Sequence, residues 1–342
     1  MIKKYKSTTR RRKKKSKNRS KKKSKKKFNN KKIYFSGRLI HNLNNSSDKQ
    51  YIYYQDLSKK WKQYTNKKGF ELLLNCFKKL KLMLKHNTYL IFKNNFNYKK
   101  MVNDGYKIYK NKTSLKNTSK SYGTGEYVTW TKEEYAHLGM QRYYLIVKSF
   151  QRFSETWSLL ERSRSFGVFN RLPKLINFVS VGGGPGFECY TFELFIKEYY
   201  PDKKCQFFNL DLEPKWGEYT KKLGKNYQFY TWDLYKDDLY ETIDVKKVHF
   251  IMISNVLVMY MTNNFSYNLI KEYLNKGTKA IFINSRSKEI EAKYHLEKMS
   301  IKTTNLINQD DDRNIIFSNK KFSKNKKNIN NENIFPNVPY IK

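Results

Sequence analysis

Apolar positions recur at helical spacing in several segments ahead of residue 176, and beyond it short apolar runs alternate with further helical stretches. Residues 70–84 set Leu73, Phe77, Leu80 and Leu84 near one face of an amphipathic helix. Thr131-Lys132-Glu133-Glu134 is a capping box, a hydroxyl with a carboxylate three residues on. It opens a helical run through Tyr135, Leu138, Tyr143, Ile146 and Phe150, and Ser154 marks a second start ahead of Trp157, Leu159 and Leu160. Strands are predicted at 176–181, 205–210, 227–231, 248–253 and 279–284, with helices at 188–200, 265–275 and 287–299. The 248–253 strand is almost wholly apolar, as burial on both faces of a parallel sheet requires. Residues 301–306 and 314–318, separated by a Gln-Asp-Asp-Asp turn, read as a closing hairpin.

This alternation predicts an α/β fold: a doubly wound, mostly parallel seven-stranded sheet with a C-terminal antiparallel hairpin, preceded by a helical basic region and a disordered basic N-terminus. In such sheets ligands meet the crevice at the carboxyl ends of the strands. The first strand ends at one such place, in Val179-Ser180-Val181-Gly182-Gly183-Gly184-Pro185-Gly186-Phe187-Glu188. Glycines there can take positive φ and carry no Cβ to keep a ligand from the backbone, and the following helix aims its free N–H groups at the turn.

Charge changes the picture in one respect, its distribution. Of 71 Lys/Arg and 29 Asp/Glu, residues 1–47 hold 20 basic and no acidic, residues 48–125 hold 18 against 4, and residues 126–318 hold 27 against 24. Residues 319–342 hold 6 against 1. Four segments follow: a disordered polybasic arm (1–32), a basic, partly helical accessory region (33–125), a near-neutral domain with N-terminal capping helices (126–318), and a basic tail expected to be disordered (319–342). The arm reads as an RNA contact, a nuclear-import signal or a solubilising tail. Aromatics among the lysines of 51–64 read either as core or as platforms for bases.

Three separated cysteines, Cys76, Cys189 and Cys205, indicate neither a disulfide framework nor a zinc site. No apolar run reaches the roughly 18 to 20 residues that span a bilayer. The N-terminus lacks the apolar core of a signal peptide. The expectation is a soluble, intracellular protein of nucleus or cytoplasm with no metal.

The glycine turn, an acid closing strand two (Asp211), an acid after strand three (Asp233) and the final hairpin together resemble a class I, Rossmann-like S-adenosylmethionine-dependent methyltransferase, over about residues 126–318. The resemblance implies S-adenosyl-L-methionine as cofactor. Gly182, Gly183, Gly184 and Gly186 would meet its methionine and ribose portions. Asp211 would take both ribose hydroxyls, two acceptor oxygens matching two donors. Asp233 would accept from the adenine amino group, with Trp232 and Leu234 packing the base. Ser254 and Asn255, after strand four, would face the methyl donor. The family often has an acid where Ser180 stands, so Glu188 is the replacement for contact with the cofactor's amino group. Glu213 remains an alternative to Asp211.

A nicotinamide oxidoreductase would need glycine at 187, where Phe187 stands. A non-catalytic RNA-binding protein on a Rossmann-like scaffold stays open. No Asn/Asp-Pro-Pro-Tyr, Pro-Cys or assignable Lys-Asp-Lys-Glu set marks the acceptor. Asn255, Tyr260 and Tyr143 are the catalytic candidates, and Tyr135 and Arg142 could join them around the acceptor. His249 reads as a core histidine, and His137 and His295 as structural. RNA is the favoured acceptor, protein the next, and oligomeric state is not legible.

Overall fold

Alternation of Phe with Ile and Val along four adjacent strands sorts the core into two layers. The computed structural model describes residues 34–35, 38–39, 50–56, 61–111, 113–114, 128–254, 256–261, 263–284, 290–306 and 314–323. All lie within one compact unit, Lys32–Lys342. The polybasic arm, most of the 110–121 stretch, Asn255, the turn at 309–312 and the segment beyond 323 fall outside the described residues.

In chain order, β1 (Tyr34–Phe35), β2 (Arg38–Leu39), β3 (Gln50–Asp56) and β4 (Trp61–Asn66) pair in sequence as a small sheet. The helices α1 (Lys67–Lys93) and α2 (Tyr98–Lys110) follow, then the short pair β5 (Thr113–Ser114) and β6 (Val128–Thr129), then α3 (Lys132–Ala136) and α4 (Leu138–Ser165). The alternating part comprises β7 (Leu175–Val181), α5 (Phe187–Tyr199), β8 (Lys204–Asp211), α6 (Gly217–Thr220), β9 (Tyr227–Thr231), α7 (Leu239–Ile243) and β10 (Phe250–Ser254). It closes with α8 (Leu257–Tyr260), α9 (Asn264–Asn275), β11 (Ala280–Asn284), α10 (Ile290–Lys298), β12 (Lys302–Asn305) and β13 (Asn314–Ser318).

The main sheet has seven strands in the order β12-β13-β11-β10-β7-β8-β9. Pairings from β11 through β9 are parallel, and β13 runs antiparallel to both β11 and β12. The predicted mostly parallel seven-stranded sheet with its C-terminal antiparallel pair is therefore the observed one, while the basic region ahead of it carries the β1–β4 sheet as well as the expected helices. Chain order reverses at β7, which lies between β8 and β10, so the glycine turn after β7 sits at a topological switch point.

On one face Phe178, Phe207, Phe250 and Phe282 stack with Phe187, Phe192 and Trp157 from α5 and α4. On the other, Val179, Phe208, Ile251 and Ile281 pack against Tyr267, Ile270 and Leu274 of α9. Helix α1 contributes to the first layer: Cys76, Leu80 and Met83 are fully buried there. Burying each such side chain contributes about 1.5–3 kcal/mol, so α1 is anchored by its apolar face. Backbone meets backbone where α2 crosses α4, since a Cβ on Gly105 would lie 1.9 Å from the Gly139 carbonyl carbon.

Two helix expectations are corrected. The run opened by the Thr131 capping box breaks at His137, whose extended ψ of 117° ends α3, and His137 Nδ1 then caps α4 by accepting from Met140 N–H at 3.2 Å. Ser154 starts no helix; it is buried mid-way along α4, because Phe150, Phe153 and Trp157 share the face that enters the core and their burial outweighs a local capping preference.

Candidate functional site

The three successive glycines of the turn are required for different reasons. A Cβ on Gly182 (φ +62°) would strike the Val256 side chain at 2.4 Å, and one on Gly183 would lie 2.0 Å from Asn209 Oδ1. Gly184 (φ +51°) has nothing within 4 Å of that position. Two glycines thus let the turn pack, while the third faces open space that another molecule can enter. Gly186 (φ +89°) ends the turn in left-handed geometry and starts α5.

Across that space the turn meets the end of the neighbouring strand. Gly184 N–H donates to Asp211 Oδ2 at 2.9 Å, Glu213 N–H donates to Oδ1 at 3.0 Å, and Gly183 N–H donates to the Leu210 carbonyl at 3.1 Å. Asn209 braces the turn from beneath, its Nδ2 donating to Gly184 O at 2.7 Å and Thr220 Oγ1 at 2.8 Å. Burial pushes the Asp211 carboxyl up to about 6, against the pull of the Glu213 and Gly184 N–H groups. Glu213 caps the following 3-10 turn through Lys215 N–H, so its carboxylate is committed locally. Beside Asp211, Leu212 leaves about half its surface (47%) to solvent.

Asp233 follows β9, whose end is tied to β8 by Trp232 N–H on the Asp211 carbonyl at 3.0 Å. The Asp233 carboxylate accepts from Tyr235 N–H at 3.0 Å and pairs with Lys236 at 3.5 Å. Trp232 is buried in the aliphatic layer and its Nε1 has no hydrogen-bond partner.

On the α4 side a buried cluster adjoins the turn. Arg152 donates to Ser254 Oγ at 3.2 Å and Glu155 at 3.4 Å, and its Nε stands 3.8 Å from Glu188. The Tyr144 hydroxyl lies beside the same guanidinium. Burial raises the Glu188 carboxyl to about 7, Arg152 opposing the shift. The start of α5, the end of β10 and the middle of α4 are thereby joined by one charged group.

The structure thus brings together Gly182, Gly183, Gly184, Gly186, Asp211, Glu188 and Ser254. Asp233 and Trp232 stand one strand further along the same edge. Tyr260 closes α8, its carbonyl accepting from the Tyr235 hydroxyl at 2.6 Å. The other acceptor-side residues lie apart: Tyr143 packs on Tyr106 and Tyr109, Arg142 holds the Leu84 carbonyl and Thr88, and Tyr135 meets Trp130 edge-on. His249 precedes β10 half-buried, Nδ1 accepting from Asn177 N–H at 3.0 Å, a structural role. Sequence reasoning missed Arg152, Tyr144, Asn209 and Leu212. Asn209 alone left a signal, a polar residue within the apolar run Phe207-Phe208-Asn209-Leu210.

Among the described residues no cluster of three His, Cys, Asp or Glu side chains could hold a metal, and no helix is long and apolar enough to cross a membrane.

No protein-family model and no curated protein matches the chain. Among solved structures it is similar to a TehB-like SAM-dependent methyltransferase from Corynebacterium glutamicum, at 12% identity over 48% of this chain and 88% of that one, TM-score 0.34. It is similar also to a magnesium protoporphyrin IX methyltransferase from Synechocystis with bound SAM, at 14% identity over 55% and 94%, TM-score 0.37. A third is a plantazolicin methyltransferase in complex with SAH, at 17% identity over 46% and 60%, TM-score 0.30.

Proposed function

We propose that this chain is a class I S-adenosylmethionine-dependent methyltransferase. The observation that carries the reading is the meeting of Gly184 N–H and Asp211 Oδ2 at 2.9 Å beside open space, at the switch point of the sheet. Backbone without side chains, next to a carboxylate that burial has left eager for donors, fits the sugar of a nucleoside. Leu212 offers apolar surface for its base, and Asp233, with Trp232 behind it, an acceptor at its far edge.

When bound, S-adenosylmethionine supplies a methyl group on a positive sulfonium. The chain's part is placement. Asp211 takes the ribose hydroxyls, while Gly182, Gly183, Gly184 and Gly186 form the floor of the methionine portion. Glu188, held by Arg152, faces the amino group. Ser254, which closes β10, and Tyr260 border the transfer position, and Asn255 follows Ser254 in the chain.

RNA is the acceptor class we favour, because 38 of 71 basic residues precede position 126 against 4 of 29 acidic ones. The test is calorimetry with S-adenosylmethionine and S-adenosylhomocysteine, followed by transfer of labelled methyl to fractionated RNA, protein and small-molecule extracts. Binding that is lost in Asp211→Ala, with label in RNA, supports both parts. Label in protein alone keeps the enzyme and replaces the acceptor. No cofactor binding returns the chain to a non-catalytic RNA-binding scaffold.

A further inference from the structure

The outward face of α1 carries a pattern its packing does not explain. Its inward face, with Cys76, Leu80, Met83 and Ile91 fully buried, is an ordinary core contact. Half a turn round the helix, Leu82, Tyr89 and Phe92 stand 51%, 56% and 59% exposed. On the same face stand Lys78, Lys81, Lys85 and Lys93, all exposed. Residues 72–103 contain no Asp or Glu. Among the described residues, Glu218 meets this helix at the flanking His86, at 3.1 Å. Phe96, at the turn into α2, extends the exposed aromatics to the helix end at 45%.

We propose that this face of α1 is a docking surface for single-stranded RNA. Lysines at helical spacing neutralise a phosphate backbone, and exposed rings between them offer flat surfaces on which unpaired bases stack. A duplex hides its bases from such rings, so the aromatics select a single strand. A membrane surface is the poorer fit, because the apolar face of α1 that would enter it is already buried against α4. A second copy of the face would bring lysines against lysines. The inference rests on the reading of RNA as the acceptor, and it concerns where the strand is gripped rather than where it is methylated.

The experiment uses the full chain without cofactor and fluorescence anisotropy of a labelled oligouridylate across a salt series. Tyr89→Ala with Phe92→Ala is expected to weaken binding about ten-fold or more while the salt slope stays as it was. Lys81→Ala with Lys85→Ala is expected to flatten the slope by about 1.4, two phosphate contacts at about 0.7 each. Both differences are expected to persist when residues 1–32 are removed, since the proposed surface lies wholly on α1 and the turn after it. Should the first pair lower the melting temperature, Tyr89→Phe with Phe92→Tyr keeps both rings and is expected to bind like the parent. The proposal is overturned if both pairs bind within about two-fold of the parent. It is equally overturned if the ring-less pair instead abolishes self-association in sedimentation, which would make the face a protein interface. RNA binding through α1 without any cofactor binding would leave this inference standing and remove the enzyme reading; cofactor binding with α1 inert would do the reverse.

Discussion

The crevice at the glycine turn and the outer face of α1 are built from opposite materials. The crevice lies in the near-neutral part of the chain, and its functional groups are carboxylates and backbone N–H groups forced into place by burial. The exposed α1 face is cations, rings and one leucine, with no carboxylate from residue 72 to 103 along the chain. A small ligand with few polar atoms is recognised by a few fixed partners whose positions matter to a fraction of an ångström. A polyanion is recognised by many mobile charges whose number matters more than their geometry. On the proposed reading, the +42 net charge bears on one ligand and is silent about the other.

Substitutions that empty one site should leave the other unchanged, and the largest effect belongs to the turn. Gly183→Val drives a side chain into Asn209 and Ser180, and is expected to reduce cofactor affinity by more than about a hundred-fold in calorimetry, with oligouridylate affinity unaltered. Asp211→Asn removes a charged acceptor at roughly 1.5–3 kcal/mol per hydrogen bond, a loss of about ten- to a hundred-fold. In the cofactor-free protein the same change is expected to flatten the dependence of melting temperature on pH around 6, while the Asn amide leaves one of the two N–H donors of Gly184 and Glu213 without an acceptor. The sign of that dependence follows from the shift: a carboxyl raised to about 6 by burial contributes stability present below its unfolded value and lost as pH rises through about 6, a loss that Asn does not suffer.

A pH series sharpens the comparison further. Cofactor affinity is expected to decline as pH falls through about 7 and then about 6, as Glu188 and Asp211 take up protons, whereas oligouridylate affinity over that interval follows the lysines and stays flat. Glu188→Gln should remove the upper of the two inflections. The smallest effect is at the helix flank. Glu218→Gln breaks a half-exposed pair with His86 and is expected to cost about half a kcal/mol in urea denaturation, with neither ligand affected.

Most of the sheet could be read from the chain because parallel strands buried on both sides must be apolar along their whole length. Runs such as Val248 to Ile253 have no other reading of comparable economy. Asp211 and the glycine turn were legible for a related reason: each closes such a run, and the end of a strand is a place in space as well as in sequence. Arg152 was not, because an arginine three residues before a glutamate on a helix looks like a solvated pair, and only α5 and β10 arriving from residues 188 and 254 make it buried. Ser154 failed from the opposite side. Its local preference for a cap is worth about 1 kcal/mol, less than the burial of Trp157 and Phe153 on a continuous helix. The separation of 33–125 from the following domain followed charge, which sees surfaces; Cys76, Leu80 and Met83 lie in the shared core, which charge does not see.

Helix α4 runs unbroken from the residue that grips α1 to the residue that grips the sheet. Arg142 holds the Leu84 carbonyl and Thr88 of α1, and Arg152 holds Ser254 and Glu188. Ten residues of helix separate them, about 15 Å of rigid rod. On the proposed reading that rod is a ruler: a strand caught on Tyr89 and Phe92 presents to the crevice only a nucleotide at a set distance along its backbone. The site of modification would then be chosen by counting from the point of capture, with no base in between needing to be read.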